Sequence, residues 1–148
     1  MWYSATLTKE NNMRIAVVSV PAQRKGIPDY VKSLARGMES MGHRVDVIDA
    51  WTEDGFRLPG YEYIAVCAEA VSLWGGKMPD VLPKVLGSGS GLVGKKSAAF
   101  LRKTGPIFVN KALWNLMKAM EKEGMMVNWS DIILNAPHAE ALGKRVGT

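Results

Sequence analysis

Three short stretches collect the residue types that hold an anionic ligand. PAQRKG, at positions 21–26, sets Arg24 and Lys25 beside Gln23 and Gly26, just after an apolar run that carries Ser19. VSLWGGK, at positions 71–77, places a flat indole, Trp74, between Val71, Ser72 and Leu73 on one side and Gly75, Gly76 and Lys77 on the other. LRKTG, at positions 101–105, adds Leu101, Arg102, Lys103, the Thr104 hydroxyl and Gly105. Lysine and arginine give charge-assisted hydrogen bonds to phosphate or carboxylate oxygens. Glycine lets the backbone approach closely, and an indole offers a face to a planar ring. Two prolines, Pro21 and Pro28, remove backbone donors from the first stretch.

The elements that must position these stretches follow from hydrophobic pattern. RIAVVSV (Arg14–Val20), RVDVID (Arg44–Asp49) and YIAVCA (Tyr63–Ala68) read as strands, the first and third continuous rather than alternating, as in a sheet covered on both faces. Ile27, Tyr30, Val31, Leu34, Ala35, Met38 and Met41 form one helical stripe that stops at Gly42. MPDVLPKVL, at 78–86, reads as a helix that Pro83 bends or shortens. KSAAFL, at 96–101, is a fourth strand of poor strand formers, and 107–123 carries apolar residues at helical spacing up to Gly124. MMVN, extended by DIIL, is a fifth strand, and PHAEALGKRV is a closing helix.

Strands alternating with helices imply right-handed crossovers and a parallel sheet with helices on both faces. The expected fold class is α/β, doubly wound in three layers, a five-stranded parallel sheet of order 2-1-3-4-5. Ligands bind outside the carboxyl ends of such strands, at the switch between the first and third. The three stretches fall in the loops at that rim. Cations, glycines and one indole there suit a nucleotide or flavin mononucleotide.

Composition narrows the remaining classes. At 148 residues with 47% hydrophobic content, the chain suits one domain with a full core. Residues 1–12 read as a loose extension and 13–148 as the single domain. No apolar run approaches the ~20 residues of a membrane span, and no signal-like start is visible, so the expected address is the cytoplasm. The net charge of +5 comes without a stripe of interleaved cations and aromatics, so nucleic acid is not an expected partner. The single cysteine, Cys67, excludes an internal disulfide and multi-cysteine metal sites, and its apolar run marks it as a core residue. His43 and His138 have no evident partner in the sequence, so neither metal nor catalytic histidine is expected. No Walker-type loop or nucleophile elbow is present. The first and third strands end in SVP and CAE, which lack the acidic pattern of a phosphoacceptor receiver.

The succession MRIAVVSV, ARGMESMGHRVDVIDA, YEYIAVCAEAVSLWGGKMPDVL, GKKSAAF and KAMEKEGMMV resembles the flavodoxin-like superfamily, over nearly the whole chain. It is nearest to flavodoxins, multimeric flavodoxins and flavin-dependent quinone reductases. VSLWGGKMP resembles the loop after their third strand, with Trp74 at or beside the aromatic. The resemblance implies an FMN cradle formed by Ser19, Gln23, Arg24, Lys25 and Gly26, by Val71 to Gly76, and by Leu101 to Gly105. It implies a phosphate on the first turn and a ring between the second and third loops. No side chain need act as acid or base. A small-molecule redox substrate or redox protein, a nicotinamide donor and a homo-oligomer are the implied partners. PAQRKG departs from the family's Ser/Thr-rich turn, which keeps a second expectation open: a flavodoxin-fold interaction module that has lost FMN. The basic charge also departs from acidic electron-carrier flavodoxins.

Overall fold

The computed structural model describes residues 12–71 and 75–146. Ser72, Leu73 and Trp74, together with residues 1–11 of the expected extension, lie outside the described residues.

Among the described residues the strands are β1 (Arg14–Val20), β2 (Arg44–Asp49), β3 (Tyr63–Ala68), β4 (Lys96–Arg102) and β5 (Met126–Ile133). The helices are α1 (Asp29–Ser40), α2 (Val81–Gly87), α3 (Val109–Lys122) and α4 (Ala136–Arg145). The strands form one parallel sheet in the order β2-β1-β3-β4-β5. This is the expected doubly wound order.

The pleat divides the core. Ala16, Val18, Val20, Ile64 and Val66 face Leu82, Leu86, Leu116 and Met120 of α2 and α3. Ile15, Val17, Ala65 and Cys67 face Tyr30, Leu34 and Met38 of α1 and Leu142 of α4. Leu34, Met38, Leu82, Leu86, Leu116 and Met120 are fully buried, each worth about 1.5–3 kcal/mol relative to exposure. Burial on both faces explains why β1 and β3 read as unbroken apolar runs. It also explains β4: Ala98 and Ala99 are small, yet both are fully buried between the two helix layers. Packing overrides their weak strand propensity.

Helices α1 and α4 touch backbone to backbone. A Cβ on Gly37 would strike the Glu140 carbonyl, and one on Gly143 would strike the Leu34 carbonyl. Glycine at both positions permits the contact.

Three local features differ from the pattern reading. Helix α1 starts at Asp29, with Pro28 as its cap, because an extended Pro28 accepts from the Val31 and Lys32 amides. Helix α2 starts only at Val81, so Pro83 falls in the first turn, where no intrahelical donor is required. β5 runs unbroken through Asn128 and Trp129, with a register shift that leaves Asn128 out of the pairing with β4. It is an edge strand and mostly half-buried, which is why its sequence lacks a continuous apolar run. Trp114 of α3, although on a helix with an apolar stripe, is 57% exposed beneath the Lys118 ammonium.

Candidate functional site

The chain leaves β1 at Val20 and reaches α1 through residues 21–28. A second tryptophan holds the start of this turn. Asp49, at the end of β2, accepts the Trp51 amide through its carboxylate, and the Trp51 indole donates to the Pro21 carbonyl at 2.8 Å. Beyond Ala22 the turn stands in solvent, with Gln23, Arg24, Lys25 and Gly26 exposed. Gly26 has φ +79°, which glycine adopts without strain.

The centre of this region is a residue that the pattern reading did not single out. Glu69 follows directly after β3 and is 4% exposed. Its amide donates to the Val20 carbonyl, continuing the β1–β3 ladder by one bond. Its carboxylate then accepts three donors from the first turn and α1. The Ala22 amide reaches Oε1 at 3.0 Å, Lys25 Nζ reaches Oε1 at 2.8 Å, and the Tyr30 hydroxyl reaches Oε2 at 2.8 Å. Burial alone would push this carboxyl up; the bonds from Lys25, Ala22 and Tyr30 outweigh it and hold Glu69 below the usual carboxylate range. Tyr30, 7% exposed, is pushed far upward by burial and by the adjacent Glu69 charge, so it serves as a neutral donor.

Above this cluster lies an open crevice of about 430 Å³, lined by Lys25, Pro28, Tyr30, Glu69, Arg102, Lys103 and Thr104. It sits over the carboxyl end of β3, between the first and third loops. Arg102 Nη1 donates to the Lys103 carbonyl, and the guanidinium lies 5.7 Å from the centre of the Tyr30 ring. The lining therefore carries three cations and one carboxylate.

The second loop closes on itself through the Val71 amide and the Lys77 carbonyl at 2.8 Å. Gly76 adopts φ +67° and packs so tightly on α3 that a Cβ there would meet the Ala112 backbone at 2.7 Å. Asn115 Nδ2 donates to the Gly76 carbonyl at 3.0 Å and keeps this contact. Between Ala70 and Gly76 on one side and Leu101–Ala112 on the other, only about 10 Å³ is open. Val71, Ile107 and Phe108 expose 43%, 45% and 41% of their surfaces. Phe108 takes a left-handed backbone, φ 60°, immediately before α3. Strain of this kind collects at ligand-contact segments.

Of the residues expected at the site, the structure gathers Lys25, Arg102, Lys103 and Thr104 around the crevice. Ser19 is fully buried within β1, and its hydroxyl has no hydrogen-bond partner. Leu101 is likewise buried, while Gln23 and Arg24 point outward on the turn. Gly105 lies against the narrow gap beside Gly76. The histidines are structural. His43 Nδ1 accepts the Met13 amide at 3.0 Å and Nε2 bonds the Val146 carbonyl at 3.1 Å, while His138 Nδ1 accepts the Leu134 amide at 3.1 Å. A second hollow, lined by Arg14, Asp46 and Tyr61 among others, lies at the amino ends of the strands. Tyr61 there donates to Asp46 at 2.7 Å.

No family model matches the chain, and no curated protein matches it in sequence. Solved structures do match. Oxidised flavodoxin 2 from Bacillus cereus is 17% identical, with 90% of this chain and 94% of that chain covered, at a TM-score of 0.68. A flavodoxin from the domain Archaea is 22% identical, with 91% and 94% covered and a TM-score of 0.65. The WrbA-like flavodoxin from Agrobacterium tumefaciens is 16% identical, with 90% and 95% covered and a TM-score of 0.61. The fold is flavodoxin-like. In this flavodoxin-like chain the switch between β1 and β3 falls at the Glu69 cluster. No helix among the described residues is long and apolar enough to cross a membrane.

The crevice offers Arg102 and Lys103 to an anionic group and the Thr104 hydroxyl to a polar one, and the flanking loops expose Val71, Ile107 and Phe108 to a flat apolar one. That combination fits an amphipathic, anionic ring compound. Its one departure is in the first turn, where the Ala22 amide and Lys25 already hold a carboxylate of the chain itself.

Proposed function

We propose that the switch-point crevice binds FMN and that the protein transfers electrons between a nicotinamide donor or redox protein and a small acceptor. The carrying observation is the crevice lined by Lys25, Arg102 and Lys103, on a flavodoxin-like sheet whose neighbouring loops expose Val71, Ile107 and Phe108. Arg102, Lys103 and Thr104 would serve the polar end of the ligand, and Val71, Ile107 and Phe108 its ring. Trp74, Gly75, Gly76 and Gly105 belong to the same proposal as parts of the ring-facing loops, and Gln23, Arg24 and Gly26 as its outer turn. When bound, flavin supplies the redox chemistry, and the protein contributes orientation and electrostatic surroundings. A cytoplasmic address and self-association accompany this reading.

A second reading is supported by one observation, the engagement of the turn's donors by Glu69. Under it the flavodoxin-like scaffold is an interaction module without flavin.

One titration separates the two. Purified protein is mixed with FMN and, separately, riboflavin, while flavin fluorescence is followed. Saturable quenching at one flavin per chain supports the oxidoreductase. A colourless protein that quenches neither flavin overturns it and leaves the module.

A further inference from the structure

An anion site can be recognised by the anion it holds. Here three donors from residues 22, 25 and 30 converge on one buried carboxylate, at 3.0, 2.8 and 2.8 Å. A main-chain amide, an ammonium and a phenol hydroxyl form the kind of set that would receive phosphate oxygens. The anion is delivered by the chain itself, from the adjoining strand end. Glu69 is held there by its backbone bond to Val20, and its side chain is only 5% exposed.

We infer that Glu69 determines the ligand specificity of the crevice: its carboxylate fills the anion position of the first turn and excludes a phosphate from it. A dianionic phosphate would have to sit against a buried negative charge, or expel that charge from three hydrogen bonds. Like charges brought together in this way oppose binding. The accepted ligand class is therefore a flat ring with a neutral or hydroxylated group beside the first turn. Any phosphate it carries is met by the rim cations Arg102 and Lys103 alone. This rests on the flavin reading where it concerns flavins, but the exclusion of phosphate holds without it.

The test compares wild type with Glu69→Gln by calorimetric titration, using inorganic phosphate, FMN and riboflavin as separate probes. In wild type, phosphate gives no saturable heat, and FMN binds within about twofold of riboflavin, since rim contacts in water contribute little. In E69Q the negative charge is gone and Lys25 is released. Phosphate then binds saturably, and FMN gains about tenfold over riboflavin, the range expected of a recovered charge-assisted contact. Adding Lys25→Met to E69Q removes the gain. Glu69→Ala, which also removes the charge, supplies a second comparison if circular dichroism shows E69Q unfolded; its expected gain toward phosphate matches that of E69Q. Overturning results are a folded E69Q or E69A with no gain toward phosphate, a wild type that already prefers FMN tenfold, or a double variant that binds phosphate as E69Q does. If neither protein binds either flavin while E69Q binds phosphate, the flavin reading fails and this inference stands.

Discussion

The Tyr30 hydroxyl donates to Glu69 Oε2 at 2.8 Å across 39 residues of chain, and this bond joins the first turn of α1 to the end of β3. Both groups are buried, so the bond is shielded from competing water. A hydrogen bond to a charged group contributes about 1.5–3 kcal/mol. With the Ala22 and Lys25 bonds it fixes the floor of the crevice at the place where the sheet reverses its winding.

Stability should fall with acidification through this cluster. The folded-state pKa of Glu69 lies below its ordinary value, so at pH between the two the unfolded chain binds more protons than the native one. The contribution is fully present above the ordinary carboxylate range and is lost as pH falls through the depressed value. Urea midpoints measured stepwise from neutral pH into acid should show this decline, and E69Q should flatten it. An equal acid slope in both proteins would assign the decline to other carboxylates.

The Cys67 thiol should be silent in the native protein. It is fully buried in β3, and burial pushes its pKa well above the normal thiol range. A thiol-specific chromogenic reagent at neutral pH should label it only after denaturant unfolds the chain. Stoichiometric labelling within minutes in native buffer would contradict the packing described for this strand.

Gly37→Ala should destabilise the fold, because a methyl there collides with the Glu140 carbonyl and forces α1 from α4. Overpacking of this kind costs about 1–3 kcal/mol or more. Gly60→Ala is the matched control: no atom lies within 4 Å of its added Cβ. Its expected change is within about 0.5 kcal/mol. Urea denaturation of the two variants checks the difference.

The sheet order was legible because strands covered on both faces must be apolar throughout, and RIAVVSV and YIAVCA are. β5 was harder to read: an edge strand has one open side, so Asn128, Ser130 and Asp131 can interrupt its apolar residues. Rim cations were legible as types at loop positions, but their partners were not. Lys25 and Arg24 are both exposed, yet the Lys25 ammonium reaches Glu69, and nothing in adjacent positions marks it for that role. Glu69 itself carried one signal, a lone carboxylate directly after six apolar strand residues. Its meaning depends on donors 39 to 47 positions away, which spacing along the chain cannot encode. Trp51 was similar: its role depends on a carbonyl 30 residues distant.

The register shift at Asn128 has an effect beyond the domain's interior. Tyr63 reaches across β4 to bond the Asn128 side chain at 2.8 Å, so the irregularity is anchored and not free to smooth itself into a straight ribbon. A kinked outer margin is a poor template for another backbone. Copies of this chain should therefore not polymerise by stitching their sheets together along that margin.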